Sequence, residues 1–386
     1  MADFDRIINR EGTQSVKYDL RQAVFGRPDV IPMWVADMDF AMPHCVAEAL
    51  RQRIDHGILG YSYRDNGFAE AITNWLQRRH GVNYDSSAVC FSPGIVSALV
   101  VLLEAFTDKD DKILVQPPVY HPFFEVPLNN QRQVLWNELV YDGKRYRMDF
   151  EKLEKQLKET RMVILCNPHN PVARSWDEKE LQTFGSLCLK NEVLVVSDEI
   201  HSDLMLNGHR HIPLLKACPQ IASHLITCYA PSKTFNLAGL FTSAVLITNV
   251  TLREKYKSTL ERMHMQMGNV LGQIAFEAAY MQGEAWLDEL LMYLNTTVNH
   301  VQQRIEREFP WLGMSEPEAT YLLWLDFRKT GLTGEELHEK LIRECGLGLS
   351  PGDQFGPGGE GFMRMNIATP RSVVDEALDR LKLLKF

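Results

Sequence analysis

A lysine that acts as a nucleophile needs its amine held where water is scarce or where a second cation stands close by. Lys233 occupies a stretch that could meet this need: Ala230-Pro231-Ser232-Lys233-Thr234-Phe235-Asn236 directly follows the strand-like run Leu225-Ile226-Thr227-Cys228-Tyr229. An amine at a strand end, inside a polar turn, is a candidate for forming Schiff bases. A Ser-Lys dipeptide alone also describes many surface loops, so the weight rests on its company. Asp198, in Asp198-Glu199-Ile200-His201, follows the apolar run Leu194-Val195-Val196, and Asn170, in Asn167-Pro168-His169-Asn170-Pro171, follows Ile164-Leu165-Cys166. A carboxylate so placed can hold a protonated ring nitrogen, while the Asn170 amide and the His201 imidazole can hydrogen-bond an acidic ring hydroxyl. Tyr120, after the run ending at Val115, can stack on a ring face. Gly94-Ile95-Val96 opens a helical stretch, where free amides and the positive dipole end suit a phosphate.

The elements that must deliver these residues are read from periodicity. About seven short apolar runs, 88–91, 112–115, 134–136, 162–165, 194–196, 225–227 and 244–247, alternate with helical stretches such as 94–106 and 178–189. This pattern predicts an α/β fold with a mostly parallel seven-stranded sheet and helices on both faces. Ligands bind such sheets beyond the carboxyl ends of the strands, where the unusual residues fall. From about residue 252 onward long helices, 271–281 and 285–309, lead into a smaller α+β unit: strand 321–326, helix 333–345, strand 362–366, helix 373–384. The expected division is an N-terminal arm with part of the small domain over 1–50, a large cofactor-binding domain over 51–284 and a small C-terminal domain over 285–386. The arm itself, through Pro32, shows no period and reads as extended. Gly356-Pro357-Gly358-Gly359-Glu360-Gly361 matches G-x-G-x-x-G, but it precedes a strand rather than following one, so a dinucleotide site is not expected.

Composition narrows the function classes. The 386 residues, 45% hydrophobic and 24% charged, are globular in composition, and 41 Lys+Arg against 50 Asp+Glu give a net charge of −9 without a basic stripe. Nucleic-acid binding is therefore not expected. Met1-Ala2-Asp3-Phe4-Asp5-Arg6 lacks a basic segment leading into an apolar one, and no apolar run approaches spanning length, which predicts a cytoplasmic chain outside membranes. Seven scattered cysteines without a C-x-x-C pair fit reduced thiols. His201-Ser202-Asp203 and His209-Arg210-His211 lack metal-ligand spacing, so no metal is expected.

A strand-end carboxylate, amide, imidazole and aromatic around a lysine are the demands of pyridoxal phosphate. Taken singly, each residue could serve as a core aromatic, a satisfied loop histidine or a helix cap; the ordered set together with the lysine points to the cofactor. The motifs Trp34-Val35-Ala36-Asp37-Met38-Asp39-Phe40, Asn167-Pro168-His169-Asn170-Pro171-Val172, Ser197-Asp198-Glu199-Ile200-His201-Ser202-Asp203 and Ser232-Lys233-Thr234-Phe235-Asn236 resemble those of the fold-type I pyridoxal-phosphate enzymes. Over essentially the whole chain the sequence is similar to the class I/II aminotransferase family and, within it, to the MalY/PatB-type cystathionine β-lyase branch.

The resemblance implies an aspartate aminotransferase fold, with Lys233 as the Schiff-base lysine, Asp198 on the ring nitrogen, Asn170 and His201 near the ring hydroxyl, and Tyr120 stacked on the ring. It further implies Arg364 on the substrate carboxylate. Tyr61 would reach the phosphate of the neighbouring subunit of a homodimer, with Tyr63 as the alternative. The implied reaction releases a thiol, pyruvate and ammonia from cystathionine or a related S-substituted cysteine. Transamination on the same fold and a regulatory, partner-binding role are the rival readings. This chain departs from many class I enzymes in carrying Ala230 and Phe241 where phosphate-binding Ser and Arg are usual, which shifts the load to Ser232, Gly94, Ile95, Val96 and Tyr61. Ala173 stands where glycine is usual, and a left-handed backbone there would strain its methyl.

Overall fold

Aliphatic runs four or five residues long without polar alternation suit strands covered on both faces. The computed structural model, which describes residues 2–386, realises them as β1 (Val89–Ser92), β2 (Lys112–Val115), β3 (Gln133–Trp136), β4 (Met162–Cys166), β5 (Leu194–Asp198), β6 (Leu225–Tyr229) and β7 (Ser243–Leu246). Their order across the sheet is β1-β7-β6-β5-β4-β2-β3. Only β7 runs antiparallel to its neighbours. Every residue of β4, β5 and β6 is buried. Val195 and Val196 have no exposed surface, and burying each such side chain contributes about 1.5–3 kcal/mol. The register sets Asp198 between Cys166 of β4 and Cys228 of β6, at the carboxyl edge of the central strand.

Helices clamp this sheet through aromatic contacts. Asn66–His80 starts where Asp65 accepts from the Gly67 amide and stops at Gly81, whose φ of 63° ends it in the left-handed region. It packs on Val270–Gln282 through stacked Phe68 and Phe276, ring centroids 4.1 Å apart. A second sheet, in the order β8 (Gly313–Met314), β9 (Leu322–Asp326), β11 (Phe362–Asn366), β10 (Ser350–Pro351), is antiparallel. Ile31–Pro32 pairs in parallel with Leu347–Gly348, joining the start of the chain to its last third. The turn before β11 brings two backbones together: a Cβ on Gly352 would lie 1.9 Å from the Gly359 carbonyl oxygen. The glycine-rich stretch at 356–361 thus sits in a packing turn against Gly352.

Three features differ from the sequence expectation. The N-terminal arm is not wholly extended: it forms the short helices Val16–Asp19 and Arg21–Phe25, the second seating buried Phe25. Single turns are too short to leave a period. Pro122–Asn129, with Pro127 inside it, and Phe150–Leu157 are further helices of only eight residues. Val250–Arg262 is helical too, although six of its thirteen positions are Arg, Lys or Glu, which dilutes the apolar stripe.

Candidate active site

The strand ends of the large sheet and the middle of β11 face one cavity of about 430 Å³. A second cavity of about 400 Å³, near Lys144 and Phe309, gathers no buried polar atom lacking a partner. Lys233, Asp198, His201, Asn170, Tyr120, Ser232, Gly94, Ile95, Val96 and Arg364 all line the first cavity. Tyr61 does not: its side chain is fully exposed, in a stretch without helix or strand.

Lys233 belongs to the one-turn helix Pro231–Thr234 that follows β6, with Pro231 at the first helical position. Its Nζ donates to the Ala36 carbonyl at 2.7 Å. Burial and the nearby Arg364 cation bring its pKa down to about 8. Asp198 ends β5, where one carboxylate oxygen accepts from the Ile200 amide at 3.1 Å. Burial lifts its pKa to about 7, because that one amide and the more distant Lys233 do not replace the lost water. A buried carboxylate in this condition fits a cationic nitrogen.

His201 is buried, its Nδ1 has no partner, and burial beside Lys233 and Arg364 lowers its pKa to about 3. It is therefore a neutral imidazole with one free nitrogen in the cavity wall. Tyr120 is half-buried, and its amide donates to the Asn170 carbonyl at 3.0 Å, so the ring and the Asn170 turn move as one piece. At the other end, Gly94 caps the helix Ile95–Phe106, whose first i→i−4 bond runs from Ala98 to Gly94 at 2.8 Å. The amides of Ile95, Val96 and Ser97 precede that bond and face the cavity beside Ser232, a cradle for a phosphate.

Arg364 enters from the small sheet. Its guanidinium donates to Asn170 Oδ1 at 3.1 Å, to the Trp34 carbonyl at 2.7 Å and to Ser350 Oγ at 3.3 Å, and it lies 4.8 Å over the Phe355 ring. Nε has no partner. With no carboxylate in contact, burial lowers its pKa to about 10. A buried, unneutralised guanidinium is a receptor for an anion, and its planar fork suits a carboxylate.

Sequence reasoning missed the wall between these groups. Carbonyls of the irregular segment 34–40 accept from Arg364, Lys233, Tyr321, Asn366 and Asn236. Beneath it, Arg10 pairs with Asp37 at 2.6 Å and Asp39 at 2.7 Å, while buried Lys17 meets Asp39 at 2.8 Å. Thr242, Ser243 and Ser350 also line the cavity, and their small hydroxyls give no pattern at the sequence level. Ala230 is buried outside the cavity lining, whereas Phe241 lines it, 66% exposed and at a φ of 45°.

The sequence profile of the family described as aminotransferase class I and II matches residues 28–381. Cystathionine beta-lyase PatB of Bacillus subtilis is 44% identical over 98% of this chain and 99% of the relative. Protein MalY of Escherichia coli is 32% identical over 98% and 97%. Among solved structures, the pyridoxal-phosphate-bound C-S lyase of Staphylococcus hominis superposes with a TM-score of 0.93, at 34% identity, over 100% of this chain and 99% of that one.

Proposed function

This chain belongs to the aminotransferase class I and II family, and from that premise we propose that it is a pyridoxal-phosphate-dependent carbon–sulfur β-lyase. Its substrate would be cystathionine or a related S-substituted cysteine, and its products a thiol, pyruvate and ammonia. One observation carries the reading: Lys233, Asp198 and the unneutralised Arg364 share one cavity, each with the perturbed charge that a bound amino acid and cofactor would relieve. The residues present fit the cofactor, since the lone Asp198 carboxylate, the free His201 Nδ1 and the open amides of Ile95 and Val96 offer partners to its nitrogen, hydroxyl and phosphate.

In this reading Lys233 is the point of attachment, Asp198 holds the ring nitrogen, Asn170 and His201 stand at the ring hydroxyl, and Tyr120 covers a ring face. Ser232 and the amides of Gly94, Ile95 and Val96 hold the phosphate. When bound, pyridoxal phosphate supplies an electron-poor ring that makes the substrate Cα–H acidic. Arg364 takes the α-carboxylate and so fixes which Cα bond faces Lys233. Once the substrate's own amine has displaced it from the cofactor, the freed Lys233 amine, its pKa about 8 and so partly neutral at physiological pH, would take the Cα proton at Nζ. The electron pair left at Cα would form the Cα–Cβ double bond as the thiolate leaves Cβ and takes up a proton, and one water would then hydrolyse the released enamine to pyruvate and ammonia. Among the described residues Arg364 is the one arginine in the cavity wall, so once it holds the α-carboxylate no guanidinium of the same subunit remains there for the second carboxylate of aspartate or glutamate.

We read the molecule as a cytoplasmic homodimer, with the exposed Tyr61 serving the phosphate of the partner's site and the chain divided at about residues 50 and 284. No helix among the described residues is long and apolar enough to cross a membrane. Thiol release from cystathionine, followed with a thiol reagent, tests the activity; a purified, cofactor-loaded protein that releases none from any S-substituted cysteine contradicts it. Mixed dimers of Tyr61→Phe and Lys233→Ala subunits test the shared site, because one of their two sites carries neither defect and regains activity.

A further inference from the structure

Behind the cavity lies a buried carboxylate that the reaction does not use. Asp203 follows β5 by five residues and is almost fully buried, yet it accepts from three side chains on two other elements. Trp75 Nε1 donates to Oδ1 at 3.0 Å, and His80 Nε2 shares a hydrogen with the same oxygen at 2.9 Å. Thr234 Oγ1 donates to Oδ2 at 2.9 Å. Burial alone would raise this carboxyl's pKa, but the bond and charge of His80, with Thr234 and Trp75, hold it below the ordinary value. Asp203 is therefore ionised, and its bonds are charge-assisted.

The partners do different things. Trp75 and His80 sit on the capped helix Asn66–His80, and Trp75 is wedged between the Phe235 and Tyr280 rings, at 5.6 and 5.5 Å. That side is rigid. Thr234 has no exposed surface and is the residue next to Lys233 in a helix of a single turn, which cannot hold its own shape. The Thr234 hydroxyl is the side-chain bond that ties the turn to the large domain's framework, since the Lys233 and Asn236 side chains bond only to the backbone of the segment 34–40.

We propose that Asp203 is a positioning residue: through Thr234 it fixes the turn that presents the Lys233 amine to the cavity. The inference rests on the assignment of Lys233 as the point of cofactor attachment. A cycle of variants separates it from a merely structural role. Retention of pyridoxal phosphate and the visible absorbance of the lysine-bound cofactor are measured for Thr234→Val in the otherwise native dimer and in the Lys233→Ala background. In the native background the loss of the hydroxyl weakens retention about tenfold and lowers kcat about 10- to 100-fold with little change in KM. In the Lys233→Ala background retention changes less than about twofold, because no amine remains to misplace. Thr234→Ser, which keeps the hydroxyl, restores retention and kcat.

Equal losses in both backgrounds would mean a structural role and would overturn the proposal, as would native behaviour of Thr234→Val. Thr234→Ala serves the same cycle should the valine variant not fold. If the unsubstituted protein shows no lysine-bound cofactor absorbance, the assignment of Lys233 falls. If it does and Thr234→Val matches it, only the role of Asp203 falls.

Discussion

The Lys233 amine donates to the Ala36 carbonyl at 2.7 Å, and Ala36 lies in a segment held from below by the Arg10, Lys17, Asp37 and Asp39 ion pairs. A neutral carbonyl satisfies a donor without stabilising its charge as strongly as a carboxylate would, so the burial that lowers the lysine pKa prevails. The amine is held in place with a pKa of about 8, close enough to neutral pH to lose its proton readily.

This relationship fixes a pH dependence. With a pKa lowered from 10.5 to about 8, Lys233 is protonated below that pH and neutral above it. The rate at which cofactor-free protein captures pyridoxal phosphate should therefore rise about tenfold per pH unit below 8 and level off above it. A rise that continues to pH 10 would show an ordinary lysine.

Asp198 makes a prediction of opposite sign. Its folded-state pKa, raised from 3.8 to about 7, means that the folded chain binds the extra proton between those values. Stability of the cofactor-free protein should fall as pH rises from 4 to 7 and be flat above. Asp198→Asn removes that loss and should stabilise the cofactor-free protein at pH 8 by on the order of 2–4 kcal/mol while weakening cofactor binding. Denaturant titrations at pH 4 and 8 check it, and a variant equal to the native protein at pH 8 would contradict it.

Arg364→Lys retains the charge but loses the two parallel donors. Loss of part of a charge-assisted pair costs about 1.5–3 kcal/mol, so KM should rise about tenfold or more with cofactor affinity unchanged. An unaltered KM would remove Arg364 from the substrate site.

Ala173 is fully buried at a φ of 57°, its carbonyl accepting from the Glu318 and Ala319 amides at 2.9 and 3.1 Å. The left-handed backbone costs an L-residue about 1–2 kcal/mol, which offsets the about 0.8 kcal/mol of burying a methyl and the entropy of glycine. Ala173→Gly should then change stability by less than about 1 kcal/mol. Ala279→Gly, equally buried but inside the helix Val270–Gln282, should cost about 1.5 kcal/mol. Similar losses at both sites would show that the backbone at Ala173 carries no strain.

The central sheet was legible because its strands are unbroken apolar runs; Lys112–Val115 has the expected bounds, and Asp198 and Lys233 fall at or just past the ends of β5 and β6. Short helices escaped where periodicity had no room, as at Val16–Asp19, or where Pro127 breaks the pattern. The site was legible where chemistry requires an unusual residue type. It was not where the backbone does the work: the Trp34 carbonyl reaches Arg364 across 330 positions, and nothing in either local sequence records that meeting. Tyr61 poses a different problem, since its side chain is fully exposed and stands outside the cavity that the other residues line.

In the proposed reaction Lys233, Asp198 and Arg364 direct carbon–sulfur cleavage rather than amino transfer. The most direct measurement supplies cystathionine to the cofactor-loaded protein with no keto acid present and quantifies thiol, pyruvate and ammonia together. Equal amounts of all three are expected over many turnovers, with no product from Lys233→Ala. Turnover that stops after one equivalent per site, resumes only on addition of a keto acid, and leaves the carbon–sulfur bond intact would contradict the proposed reaction.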